Sequence, residues 1–238
     1  MTANVENSTA NGPWDLMGFQ ECENITAVFE NNPRVKEWAT YQKSPGDIAV
    51  AWNTTKFKKL EGGIEPSGQD SWGPRYTIWV RLQVRDTNSH ILFLNVHGAV
   101  GKCNSTAGDE IYKDYTKIIA DHKQDGDWLF FTGDFNCQSY DEVIKNFGKD
   151  YHDSAQASWF FPILYQPDHI FTTRGMKTLA WTAVCCKPHP GDCYAVNETV
   201  RWKGSAAACA ATPSDHQMLK GTYEIPLNTS SNTDLIIF

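Results

Sequence analysis

No apolar run in the chain approaches the ~20 residues that a membrane-spanning helix needs, so nothing here reads as a transmembrane segment. Basic charge is also scarce. Lys and Arg number 21 against 28 Asp and Glu, a formal net charge of -7. That balance argues against a broad basic surface binding nucleic acid without specificity. It leaves open an enzyme that meets phosphates at a local metal site, because a bound cation brings its own charge. Paired Cys-x-x-Cys spacing is absent, and His189 sits in a Pro-rich turn, so the cysteines do not read as a zinc site. There is no internal repeat, no low-complexity tract and no linker that would split the 238 residues. Residues 1–12 are polar and carry no signal-peptide apolar core. What the chain does hold is 41% hydrophobic and 13% aromatic residues, enough to bury a substantial single core.

Two features point toward the secretory pathway. Asn-x-Ser/Thr sequons stand at Asn7, Asn24, Asn53, Asn104, Asn197 and Asn228, where chance would supply about two. Seven cysteines are present, and Cys185, Cys186, Cys193 and Cys209 cluster along one segment. Disulfides pinning a long loop suit that cluster better than a metal. The expectation is a secreted glycoprotein in which Cys185 or Cys186 pairs with Cys193 or Cys209.

Short strand-like stretches alternate with a few helices. "DLMGFQ" (15–20) and "DIAVAWN" (47–53) read as strands. "YTIWVRLQV" (76–84) puts Ile78, Val80, Leu82 and Val84 on one face, and "HILFLNV" (90–96) follows it as a hairpin partner. "AGDEIYKDYTKIIADHKQ" is an amphipathic helix with Ile111, Tyr115, Ile118 and Ile119 aligned, and Asp109 and Glu110 at its start suit the helix dipole. Short helices are expected at "NITAVFENN" and "SYDEVIKNF", and strands at "DHIFTT", "TLAWTAV" and "GTYEI". Paired strands with interspersed crossover helices imply a mixed α/β fold with helices outside the sheets.

The stretch "WLFFTGDFNCQ" (128–138) drives a bulky strand into an acid and an amide. Residues two apart on a strand share a face, so Asp134 and Asn136 project together while Phe135 turns to the core. Turn chemistry alone would explain one such case. The same layout recurs: Glu21 ends "GFQE", His97 ends "FLNVH" with Asn95 on its face, Asp168 opens "DHIF", and Asp215 and His216 close the series in "PSDH". Carboxylates with Asn and His, and no thiolate, suit a hard oxygen-preferring cation such as magnesium or manganese.

The ordered series "FQE", "NVH", "TGDFN", "PDHIF" and "SDH" resembles the endonuclease/exonuclease/phosphatase superfamily, the deoxyribonuclease I-like fold, from about Trp14 to the C-terminus. The resemblance implies a four-layer α/β sandwich of two packed mixed β-sheets flanked by helices, and hydrolysis of a phosphodiester or phosphomonoester. It makes Glu21 the principal magnesium ligand, with Asp215 nearby as a second-site ligand. His216 takes the place of the general base and Asp168 that of the carboxylate orienting it. His97 becomes the second histidine, which donates a proton to the leaving oxygen or binds phosphate, with Asp47 the nearest acid to support it. Asp134 and Asn136 would hold the attacking water and a phosphoryl oxygen, and Arg75 would contact phosphate. The superfamily's opening strand, ending in a metal-binding Asn, has no counterpart before Gln20, so an N-terminally truncated single domain over 1–238 is expected. The substrate class stays open among DNA, RNA, a phosphoinositide, sphingomyelin and smaller esters, met by a monomer. The alternative is a catalytically inactive binding module on the same scaffold.

Overall fold

The computed structural model describes residues 14–22, 24–30, 35–44, 47–85, 87, 89–157, 167–184, 194–197, 200–203, 218–226 and 233–237. Its largest unit is a six-stranded sheet built from β4 (Phe57–Asp70), β5 (Gly73–Val84), β6 (His90–His97), β7 (Trp128–Asp134), β8 (Tyr151–Ala157) and β9 (Asp168–Thr173), in the order β4-β5-β6-β7-β9-β8. Only β6 and β7 run parallel. A parallel pair needs a crossover, and here it is the helix α2 (Ser105–His122), entered after α1 (Ile25–Phe29) and followed by α3 (Glu142–Asp150).

Alternation along the strands divides the core into two layers. Ile78, Val80 and Leu82 of β5, Ile91 and Phe93 of β6, Phe130 of β7 and Ile170 of β9 face inward. There they meet Leu16 of β1 (Leu16–Phe19), and Val50 and Trp52 of β3 (Ala49–Asn53). These belong to an antiparallel three-stranded sheet in which β3 lies between β1 and β2 (Trp38–Gln42). The alternate residues Leu92, Leu94, Leu129, Phe131 and Phe171 face outward against Ile111, Tyr115, Ile118 and Ile119 of α2, and Val143 and Phe147 of α3. Tyr115 meets Phe131 and Phe135 edge-to-face, with centroids 5.1 and 5.7 Å apart, so Phe135 turns into the core as its alternation requires. On the far side, Ile25 of α1 packs with Cys22, Val35 and Ala49. Helix, sheet, sheet and helices make the four-layer sandwich.

Further strands are β10 (Lys177–Val184), β11 (Tyr194–Asn197), β12 (Val200–Lys203), β13 (Met218–Pro226) and β14 (Thr233–Ile237). They form an antiparallel sheet in the order β10-β13-β14 and a β11-β12 hairpin. Tyr223 and Ile225 of β13 join the inner core. Strands β2, β4, β8, β11, β12 and β14 go beyond the sequence-based reading. The strand β4 carries Gly62, Gly63, Pro66 and Gly68, a composition typical of loops. It survives as a strand because it lies at the sheet edge, where a proline need not donate to a neighbour, and its register shifts between Pro66 and Gln69. Helix α2 begins at Ser105, two residues before the expected Ala107. The proposed absence of an opening strand concerns residues 1–13, outside the described residues, as do Cys185, Cys186, Cys193 and Cys209.

Candidate functional site

Three predicted site residues stand in one row across the six-stranded sheet. His97 of β6 is in register with Asp134 of β7, and Asp134 with Asp168 of β9. By alternation all three share the inward face with Phe93, Phe130 and Ile170, at the edge where that core gives way to loops. Gly133 makes the row fit. Its φ of 144° lies where other residues are strained, and a Cβ there would sit 2.1 Å from the carbonyl oxygen of Val96.

The row is closed from the other sheet. Strand β1 crosses above β6 and β7 so tightly that a Cβ on Gly18 would lie 2.6 Å from both Asn95 Oδ1 and Thr132 Oγ1. Asn95 is fully buried and bridges the sheets: Nδ2 donates to the carbonyls of Phe19 (2.8 Å) and Ala49 (3.1 Å), and Oδ1 accepts from Gln20. Glu21 comes next, an exposed carboxylate on left-handed backbone at φ 52°. Such strain in a non-glycine residue costs about 1–3 kcal/mol and tends to mark functional positions. The Cys22 N–H that follows donates to the carbonyl of Asp47 (2.6 Å), which ties the end of β1 to the site.

Asp47 in turn holds His97, with Oδ2 2.9 Å from Nδ1. Burial alone would push the His97 pKa down. The hydrogen bond and charge of Asp47, with the charge of Asp134, outweigh burial and the opposing Arg75 charge, so the net shift is upward. The bonded His97 proton holds the Asp47 carboxyl below its usual range. A protonated Nδ1 donating to Asp47 leaves Nε2 directed toward Asp134, whose Oδ2 is 4.0 Å away. Arg75 flanks the pair, with Nη1 3.3 Å from His97 Nδ1 and Nε donating to Asp70 Oδ2 at 2.9 Å. Asp70 also accepts the backbone N–H groups of Trp72 (2.8 Å) and Val100 (2.9 Å). Burial opposes its ionisation, but these donors together hold its pKa below the usual carboxylate range.

Asn136 occupies left-handed backbone at φ 53°, a conformation that Asn tolerates better than most residues. Its N–H donates to Asp134 Oδ1 (2.7 Å) and its Nδ2 to the carbonyl of Gly98 (3.1 Å). The next residue is fixed twice: Cys137 forms a disulfide with Cys103, and its carbonyl lies 3.1 Å from His169 Nε2. His169 is buried, and its Nδ1 is 3.0 Å from Asp153 Oδ2. A carboxylate at one ring nitrogen and a carbonyl at the other both favour a ring N–H. Burial works against the charged ring, but Asp153 and the Cys137 carbonyl raise the pKa.

The structure thus brings together His97, Asp134, Asn136, Asp168, Arg75 and, through Cys22 and Asp47, Glu21. Asp215 and His216 lie outside the described residues. Sequence reasoning missed Asp70, His169 and the Cys103–Cys137 bridge. Only the bridge had a signal, since Cys137 directly follows the motif Asn. Among the described residues no three His, Cys, Asp or Glu side chains gather into a metal cluster. Magnesium commonly binds through one or two carboxylates plus water and substrate oxygens, so the exposed Glu21 carboxylate on fixed backbone fits such an ion.

No protein-family model matches the sequence, and no curated protein matches it in a sequence search. Solved structures do match. A protein described as endonuclease/exonuclease/phosphatase from Bacteroides vulgatus superposes with TM-score 0.71 at 15% identity, covering 94% of this chain and 90% of that one. The chain has the endonuclease/exonuclease/phosphatase fold. A mannosyl-6-phosphatase of Bacteroides thetaiotaomicron shares that fold at TM-score 0.62 and 18% identity, with 93% and 90% of the two chains covered. ANGEL2, a 2',3'-cyclic phosphatase in complex with adenosine-2',3'-vanadate, does so at 0.64 and 12%, over 93% and 84%.

Proposed function

We propose that the protein is a phosphoesterase that hydrolyses its ester by direct attack of water on phosphorus. The observation that carries this reading is His97, held by Asp47 and set between Asp134 and Arg75 at the end of its strand. Proteins of like fold include phosphatases, which supports the same chemistry here. In this reading Arg75 and the amide of Asn136 bind phosphoryl oxygens, and Asp134 orients the water. The water oxygen bonds to phosphorus as the bond to the leaving oxygen breaks. Water's proton passes to His216, oriented by Asp168, and His97 gives its Nε2 proton to the leaving oxygen. Glu21, with Asp215, would hold magnesium or manganese, and such an ion when bound supplies positive charge against the phosphoryl oxygens.

The test is turnover of mono- and diester substrates, including DNA, RNA, a phosphoinositide and sphingomyelin, with added magnesium and with EDTA. His97→Ala should lose about 10²–10⁴-fold in kcat, the range for removing a positioned acid–base group. A folded, magnesium-supplied protein inactive on every ester would instead be a binding module. Full activity in EDTA would remove the metal from the mechanism.

A further inference from the structure

Among the described residues five large hydrophobic side chains are exposed: Leu60, Trp72, Val100, Tyr140 and Leu179. Two of them lie close together, because the Asp70 carboxylate binds the backbone N–H groups of both Trp72 and Val100. Trp72 is at the tip of the β4–β5 hairpin, Val100 is in the loop after β6, and Tyr140 is in the loop after β7. Trp72 and Val100 each stand three residues from a site residue, Arg75 and His97, and Tyr140 follows Asn136 by four. Leaving the Trp72 side chain 82% exposed forgoes much of the stabilisation that burying so large an apolar surface gives.

The hairpin tip is not a loose end. Asp70 pairs with Gly73, leaving only Ser71 and Trp72 in the turn. The buried Asp70 carboxylate binds the Trp72 N–H, the Arg75 guanidinium and the Val100 N–H at once. One carboxylate therefore sets the backbone of two exposed apolar residues relative to the cation flanking His97. The loop that carries Tyr140 is tied down at its next residue, where Asp141 accepts the Gln138 N–H (2.7 Å) and the Asn104 amide (2.7 Å). An exposed ring on a rigid support, tied through Asp70 to the Arg75 guanidinium, suits a ligand whose phosphate carries a planar apolar group. The net charge of -7 disfavours a long polyanion and favours a small ester with one such ring.

From this juxtaposition we infer that Trp72 and Tyr140, with Val100, form a subsite for the aromatic group of the substrate, a nucleobase or another aryl ring next to the phosphate. This rests on the phosphoesterase reading for its catalytic arm only. The experiment has two arms. In turnover, Trp72→Ala and Tyr140→Ala should each raise KM for an aryl phosphodiester or a nucleotide about tenfold, toward the low end of what ring stacking supplies. The kcat should be unchanged, Trp72→Phe should restore KM, and neither change should affect glycerol phosphate. In equilibrium binding, adenosine phosphonate and phenylphosphonate should bind the wild type more tightly than methylphosphonate, and Trp72→Ala should erase the difference. A preference for adenosine phosphonate over phenylphosphonate identifies a nucleobase site; equal affinities identify a general aryl site. Inactivity on all esters with ring-dependent binding retained would sink the catalytic reading and leave the subsite standing. Equal affinity of wild type for all three phosphonates, or equal KM effects on ring-bearing and ringless esters, overturns the subsite.

Discussion

At the scale of single residues, the His97–Asp47 pair makes the sharpest demand on pH. The folded His97 pKa lies above its unfolded value, so its contribution is complete below about pH 6.5 and fades as pH rises through the folded value. The Asp47 pKa is lowered, so its contribution is present above about pH 4 and fades as pH falls through the folded value. Together they stabilise the site most between about pH 4 and 6.5. Comparing melting temperature against pH for wild type and His97→Gln should show a difference largest in that window. Asp47 is 42% exposed on its side chain, so half-molar salt should shrink the difference. A gap that widened at pH 9 would contradict the pairing. Asn136 offers a cleaner separation of fold from function. Its backbone sits at φ 53°, which glycine adopts without strain, so Asn136→Gly removes the amide and keeps the turn. Activity should fall by at least about tenfold, as for loss of a positioned oxyanion donor, while circular dichroism and melting stay near wild type. If instead melting fell sharply and kcat held, the amide would serve only its bond to Gly98.

At the scale of elements, what could be read from the sequence depended on whether packing wrote a period into it. Strand β5 shows Ile78, Val80, Leu82 and Val84 to one core, and α2 shows Ile111, Tyr115, Ile118 and Ile119 to the other, so both could be read directly. Strand β4 has no such face because it is an edge of glycines and a proline, and β8, "YHDSAQA", is polar because it is the opposite edge. Polar groups at strand ends were legible as motifs, and Asp134, His97 and Asp168 do stand in one row. Asp70 and His169 were not, because their work depends on long-range partners such as Val100 and Cys137. A buried pair shows the same dependence on distance. Arg81 of β5 binds Asp127 bidentately, Nε to Oδ2 at 2.7 Å and Nη2 to Oδ1 at 3.0 Å, fastening the start of β7 across the helix layer. Removing Asp127 leaves the buried Arg81 only the half-exposed Glu61 carboxylate 3.9 Å away, so Asp127→Ala should cost up to about 3–5 kcal/mol in denaturant unfolding. A loss within about 0.5 kcal/mol, typical of a surface site, would mean that water already reaches the pair.

At the scale of the whole molecule, several features that looked like marks of compartment also have work within the fold. Asn24 caps α1 by accepting the Ala27 N–H (3.1 Å), Asn53 Oδ1 accepts from both Thr55 N–H and Oγ1, and Asn104 bridges Asp141 and the Glu142 N–H. Three of the six sequon asparagines therefore also have a structural role. The bridge between Cys103 and Cys137, 34 residues apart, carries more weight. It joins the loop after His97 to the loop after Asn136, and His169 grips the same Cys137 carbonyl from β9. The two loops are therefore held to the sheet by a covalent tie and a hydrogen-bonded one. Closing a loop of this size contributes ~2–4 kcal/mol, largely through the unfolded chain. A misplacement of about 1 Å can cost 10²-fold in rate, so positioning should register before unfolding does. Cys103→Ser with Cys137→Ser should lower unfolding stability by about 2–4 kcal/mol. It should also reduce kcat well below the melting temperature, while dithiothreitol reproduces the loss in wild type and leaves the double variant unchanged. Adding His169→Gln to that double variant should lower kcat further, because the carbonyl then loses its second restraint. Wild-type kcat in the double variant, with only the melting temperature reduced, would assign the bridge to stability alone.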